Sequence, residues 1–182
     1  MTKTEAEKYF AAMGFAPQLT PHEILQLGAF DGHYFGVALP VEFPHEWVER
    51  APFCWIPEPA VNAFHVHSGQ SREVWEQKGW MHADDPLGWF QWYCRYYMGR
   101  RHEDDARQIR RWKNFARHQG MLAYQLRNAP TAADKLSGGR VTRQSLIHWA
   151  YDPFPDFTQD LYRGESVFSR AKRLLAILDA DK

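Results

Sequence analysis

Apolar positions are densest between Leu87 and Met98. At about 100° per residue, Leu87, Trp89, Phe90, Trp92, Tyr93, Cys94, Tyr96, Tyr97 and Met98 cover nearly the whole circumference of a helix. Only Gln91 and Arg95 interrupt that surface, side by side. A helix apolar all round is a buried one, so the pattern predicts a central helix over about 86–98. Asp84 or Asp85 can cap it, Pro86 suits its first position, and Gly99 suits the stop. A buried, unpaired arginine is too costly to keep. Arg95 therefore requires a carboxylate partner or a cavity that takes an anion.

Other helices follow from spacing and caps. Ala6, Tyr9, Phe10 and Met13 recur at helical intervals within residues 5–13. Thr20-Pro21-His22-Glu23 reads as a capping box that opens a short helix ending at Gly28. Residues 29–43 lack a sustained period and read as a loop with one short strand. Residues 44–51 read as a short helix with Trp47 and Val48 inward. Pro52, Pro57 and Pro59 make 52–69 an extended layer over the core. Within it, Phe64-His65-Val66-His67 alternates, which on a strand would put both histidines on one face. Ser71 caps a helix stopping at Gly79. Asp104 and Asp105 open a helix to about Gln119, with Ile109, Trp112 and Ala116 inward and Arg107, Arg111, Asn114 and His118 opposite. Residues 128–140 are the most loop-like stretch, Thr142 caps a helix through Ala150, and residues 166–178 form a terminal amphipathic helix. The fold class expected is mainly α: a single helical domain over 1–182. It comprises N-terminal helices and an extended proline-rich N-terminal layer (1–70), core helices (71–152) and a C-terminal helix (161–182).

Composition narrows this picture. Apolar residues make up 45% and aromatic residues 15% of the 182, enough to build a core and to exclude a disordered chain. The two cysteines, Cys54 and Cys94, are too few for a disulfide framework. With no apolar leader and no apolar run long enough to span a bilayer, the chain reads as soluble and cytoplasmic, with no membrane partner. The net charge of zero conceals an asymmetry: residues 1–84 hold 5 basic and 11 acidic residues, and residues 85–182 hold 17 and 11. A basic half favours nucleic acid or a phosphorylated small molecule as partner.

Three groups of residues could carry chemistry. Arg95, Arg100, Arg101 and Arg107 could converge on one anion at a helix hairpin, and arginine's planar fork suits phosphate. Arg111, Asn114, His118 and Arg143 extend that candidate anion-binding set. Asp104 and Asp105 compete for the same arginines through helix ion pairs. The aromatics from Trp89 to Tyr97 could stack on bases, although helical spacing favours a core role. His65 and His67 have a spacing that offers two ligands to one metal, yet two ligands do not make a site. No metal and no cofactor is expected. His148, Arg95 and Tyr96 are the candidate catalytic residues, and no Walker loop, G-x-G-x-x-G, G-x-S-x-G or H-E-x-x-H motif is present.

The segment from Asp85-Pro86-Leu87-Gly88-Trp89-Phe90 through Arg100-Arg101, then Asp104-Asp105-Ala106-Arg107 to Trp112, is similar to an uncharacterised group of small proteins found in fungal and microbial or viral genomes. Arg143-Gln144 and His148-Trp149-Ala150-Tyr151-Asp152 resemble that group's C-terminal motif. The resemblance covers about a third of the chain and brings no activity and no catalytic residue with it.

The function expected from these residues is a nucleic-acid-associated protein, binding phosphate or a phosphorylated base or nucleotide through the arginine hairpin, with nucleic-acid base modification, such as DNA modification, as its enzymatic form. The alternatives are an enzyme acting on a small anionic metabolite through the same arginines and His148, and a helical protein-interaction module.

Overall fold

Helical spacing is realised along most of the described chain, which comprises residues 14–36, 38–157 and 164–180 of a computed structural model. The helix expected over residues 5–13 lies outside these residues. The fold is mainly α-helical. No strand occurs among the described residues, where backbone pairing is confined to an isolated bridge between His82 and Asp85. The short strand expected in 29–43 is instead a 3₁₀ turn, Phe30–Gly32.

Helix α1 (Pro21–Leu27) opens on the capping box: the Thr20 hydroxyl accepts from the Glu23 N–H at 3.2 Å and the Glu23 carboxylate accepts from the Thr20 N–H at 2.8 Å. It ends at Gly28, whose φ is 91° and whose Cβ, if present, would lie 2.4 Å from the Val61 carbonyl oxygen. Only glycine fits this close crossing. The segment 44–51 holds a single 3₁₀ turn (His45–Trp47) that buries Trp47, and the proline-rich layer holds another (Pro59–Val61). Helix α2 (Arg72–Gln77) follows Ser71.

The central helix α3 (Trp89–Tyr97) starts three residues later than the caps imply. Asp85 does not cap it. That carboxylate is fully buried and binds Arg95 and Arg100, and Gly88 takes the N-cap position. Trp92, Tyr93, Cys94 and Tyr96 are completely enclosed. The Phe15 ring sits among Trp92, Tyr93, Tyr96 and Trp112, with centroids 4.8–5.6 Å away. Such offset and edge-on aromatic pairs strengthen a core beyond their area alone.

Helix α4 (Asp105–Phe115) does not run through to Gln119; the backbone tightens at Ala116 and α5 (Arg117–Gln125) begins. The i−3 bonds from Ala116 to Lys113 and from Gln119 to Ala116 mark a 3₁₀ joint. The stretch expected to be loop contains α6 (Ala132–Ser137), nucleated by Thr131, whose hydroxyl accepts from the Asp134 N–H at 3.0 Å. Helix α7 (Arg140–His148) starts at Gly139, not Thr142. Gly139 is where α5 comes closest: a Cβ there would meet Leu122 at 2.2 Å. Helix α8 (Val167–Ala180) packs on α1 and α6. No described helix is long and apolar enough to cross a membrane.

Two buried ion pairs pin the C-terminal third. Arg143, with no exposed surface, donates to the carbonyls of Gly138, Lys135 and Pro153 and to both Asp156 oxygens. It cannot join an anion site as the sequence suggested, because every donor group is bound inside the protein. Arg170 pairs likewise with Asp152.

Candidate active site

The arginine hairpin is occupied by the protein's own acceptors. Arg95 grips Glu42 through two bonds of 3.0 and 2.6 Å and Asp85 through a third of 2.9 Å. Arg100 meets the other Asp85 oxygen at 2.5 Å. Arg101 lies on the Tyr96 ring, 3.9 Å from its centre, and donates to the Tyr96 carbonyl. Arg107 forks onto Asp104 at 2.5 and 2.7 Å. Burial and Arg107's bonds compete at Asp104, and the bonds prevail, holding its carboxyl below the usual range.

Arg111 does not face outward. Its guanidinium lies 4.9 Å from Trp75, 5.6 Å from Trp149 and 5.7 Å from Trp80, and it donates to the Trp80 carbonyl at 2.9 Å. Burial without a carboxylate pushes it down to about 10. His118 stacks on Phe115 at 3.9 Å, whereas Asn114 is exposed. The structure thus joins Arg95 to Arg100 through Asp85, and Arg107 to Arg111 through the Trp80 carbonyl, but it does not gather the set around one open pocket. Tyr96 is enclosed in the core.

His148 leads elsewhere, into a cleft of about 730 Å³ walled by Phe30, Trp75, Trp89, Phe90 and Trp149. That volume and that apolar lining suit a small organic molecule. The floor is the Phe30–Gly32 turn. Phe30 and Asp31 have φ of 55° and 56°, a conformation that costs a side-chain-bearing residue about 1–3 kcal/mol. Four bonds hold the turn there. The Phe30 N–H donates to His148 Nε2 at 3.0 Å, the Asp31 N–H to Asn62 Oδ1 at 2.8 Å, the Cys54 N–H to the Gly32 carbonyl at 2.9 Å, and the Glu58 N–H to the Asp31 carbonyl at 2.9 Å.

The strained turn aims Asp31 at His67. Asp31 is buried; Asn62 Nδ2 donates to its Oδ1 at 2.5 Å, and its Oδ2 lies 2.6 Å from His67 Nδ1. A carboxylate only accepts, so the shared proton sits on Nδ1, and in the neutral tautomer that this selects Nε2 is a bare lone pair. The His67 side chain is 62% exposed and lines the cleft. His33, from the same turn, is fixed in the same tautomer by donating Nδ1–H to the Cys54 carbonyl at 2.8 Å.

His148 has the complementary arrangement. Gln144 cannot be flipped: its Oε1 accepts from the Phe64 N–H at 3.1 Å and its Nε2 donates to the Gly28 carbonyl at 3.0 Å. Its second N–H therefore donates to His148 Nε2 at 3.0 Å, beside the Phe30 N–H. With two donors on Nε2, the ring proton must reside on Nδ1. The ring is buried and stacked on Phe30 with centroids 4.2 Å apart. Burial, reinforced by His67 nearby, pushes the imidazole down to about 3, so it stays neutral at physiological pH.

The alternating pair His65 and His67 does not share a face. His65 has φ 54°, which breaks the extended backbone, and its ring binds the Ala60 carbonyl and Asp179. A different group, His82, Asp84 and His102, has ligand atoms close enough for a metal ion. Both rings accept a backbone N–H at Nδ1, from Asp84 and Asp104 at 3.2 Å each, which leaves the protons on Nε2. His102 Nε2 then donates to Asp84 at 2.9 Å. These bonds make the group a hydrogen-bonded clamp between two turns.

Of the residues around the cleft, sequence reasoning singled out His148 and considered His67 only as a ligand. It missed Asp31 and Asn62. The one local signal was Asp31-Gly32, a turn dipeptide tolerant of left-handed backbone. No family model, no curated protein and no solved structure matches the chain.

Proposed function

We propose that the protein is an enzyme whose Asp31–His67 dyad removes a proton from a small organic substrate held in the aromatic cleft. One observation carries this: a buried carboxylate, fixed by Asn62 in a strained turn, is bonded at 2.6 Å to the Nδ1 of an exposed imidazole that lines the cleft. Asp31 sets the tautomer and orientation of His67 and stabilises the imidazolium formed when Nε2 takes the proton. A positioned base of this kind contributes a rate factor of about 10²–10⁴. Strain is retained in folded proteins where the surroundings over-determine it, and such places concentrate at functional sites. Nucleic-acid binding through the arginine hairpin has no observation of comparable weight, because those guanidinium groups engage internal carboxylates, carbonyls and rings.

The test uses two substrate panels. Aryl ketones in heavy water are followed by NMR for exchange of the C–H beside the carbonyl, and β-aryloxy ketones for release of the phenol that follows loss of the same proton. Turnover in either panel that falls at least about 100-fold in His67→Ala, with an unchanged melting temperature, supports the proposal. Equal rates for wild type and His67→Ala in both panels overturn it.

A further inference from the structure

We infer that His148 is the oxygen-binding half of the cleft: its Nδ1–H donates to a substrate carbonyl oxygen as negative charge develops there. The ligand class is then a carbonyl compound bearing an apolar, ring-sized group. This names the substrate class for the base proposed above and depends on that reading for its catalytic meaning.

The geometry is specific on three counts. The donor atom is known, since Phe30 and Gln144 occupy Nε2 at 3.0 Å each. The donor is unused, because Nδ1 has no hydrogen-bond partner among the described residues while His148 lines the cleft. Nδ1 is not among the buried atoms that lack a partner, so it keeps contact with solvent, and a ligand oxygen can take the place of water on it. The donor is also immobile: the stack on Phe30 and the two bonds to Nε2 leave the ring no rotation. A donor that needs no rearrangement when charge appears is the arrangement that stabilises an oxyanion best. Being neutral, the ring can hold an enolate without protonating it, a role that neutral histidines fill elsewhere.

The step balances without a co-reactant. His67 Nε2 takes the proton from the carbon beside the carbonyl. The C–H electron pair becomes the carbon–carbon π bond, and the carbonyl π pair moves onto oxygen, where His148 Nδ1–H holds it. Return of the proton from His67 to carbon restores the ketone, with exchange or isomerisation as the outcome. Phe30, Trp89 and Trp149 provide flat apolar walls for the group attached to the carbonyl.

The experiment uses 4-nitrophenolate, whose oxygen and ring mimic an aryl enolate, with binding read from its visible absorbance. Wild type should bind it, and His148→Gln should weaken binding about 10- to 100-fold, as expected for loss of a hydrogen bond to a charged oxygen. Asn114→Ala, an exposed change outside the cleft, should bind it as wild type does. In case His148→Gln disturbs the turn, the His148 Nδ1–H resonance of ¹⁵N-histidine-labelled wild type should shift on adding the phenolate. No binding at millimolar phenolate, or binding that leaves that resonance unmoved, overturns the inference. The two readings separate cleanly: turnover lost in His67→Ala with an unmoved His148 resonance sinks only the oxygen site, whereas a shifted resonance with turnover unaffected by His67→Ala sinks only the base.

Discussion

The arginine hairpin and the histidine cleft invert each other. The hairpin is conspicuous in sequence and closed in structure: Arg95, Arg100 and Arg107 all end on carboxylates of the chain, and Arg111 in a nest of tryptophans. The cleft is faint in sequence and open in structure. It holds a lone pair on His67 and a proton on His148, neither bonded to another of the described residues. A cluster of charge is thus poor grounds for a binding site when the same segment carries its counter-charges. An unfilled donor beside an unfilled acceptor is better grounds, because folding alone does not account for either.

The largest effect that would sharpen this contrast lies in the cleft. Asp31→Asn replaces the acceptor with a carboxamide that can impose the wrong tautomer on His67. Turnover should fall about 10²–10⁴-fold, equivalent to about 3–5 kcal/mol, in steady-state assays. A loss below about tenfold would mean that Asp31 does not govern the base.

Next comes the hairpin. Asp85→Ala removes the carboxylate shared by Arg95 and Arg100 and should cost about 3–5 kcal/mol in urea denaturation. Phenolate affinity of the folded protein should be unchanged. A stable variant with weakened ligand binding would reverse the roles assigned to the two regions.

A smaller effect follows from pH. The unfolded chain protonates His148 near 6.5, whereas the folded chain holds it neutral down to about 3. Between those values the unfolded state binds the extra proton, so this group's contribution is complete above 6.5 and is lost as pH falls towards 3. From pH 6.5 to 5 the loss should be about 1.6 kcal/mol. Melts of wild type and His148→Gln over that range should diverge, with the variant flatter; parallel curves would show that His148 is not held neutral.

The folding elements carried by local chemistry were legible in sequence. The Thr20–Glu23 box, the aromatic wheel of α3 and the amphipathic α8 each depend on residues within a few positions of one another. Asp85 was misread as a cap because its partners, Arg95 and Arg100, meet it only once α3 and the following turn are in place. The alternation at 64–67 suggested a strand, but one left-handed residue, His65, turned the two histidines to different partners. The dyad itself joins residues 36 apart in sequence, and Asn62 lies 31 from Asp31. No periodicity connects such positions; only the crossing of the Phe30–Gly32 and Pro59–Val61 turns does.

The smallest expected effect is on the outer face of the hairpin. Asn114→Ala with Arg117→Ala, both exposed, should change stability by less than about 0.5 kcal/mol and leave turnover intact. Salt-dependent binding of a DNA or RNA oligonucleotide that these changes weaken would instead restore the hairpin as a binding surface.

The pairing of base and donor in the cleft depends most directly on where two protons reside. Two-bond ¹H–¹⁵N correlation spectra of the histidine-labelled protein at mildly alkaline pH read this without any ligand or substitution. The predicted spectrum shows His67 and His148 both protonated at Nδ1, with Nε2 bare. A His148 protonated at Nε2, or a His67 with Nδ1 bare, would contradict the pairing of base and donor on which the cleft's function rests.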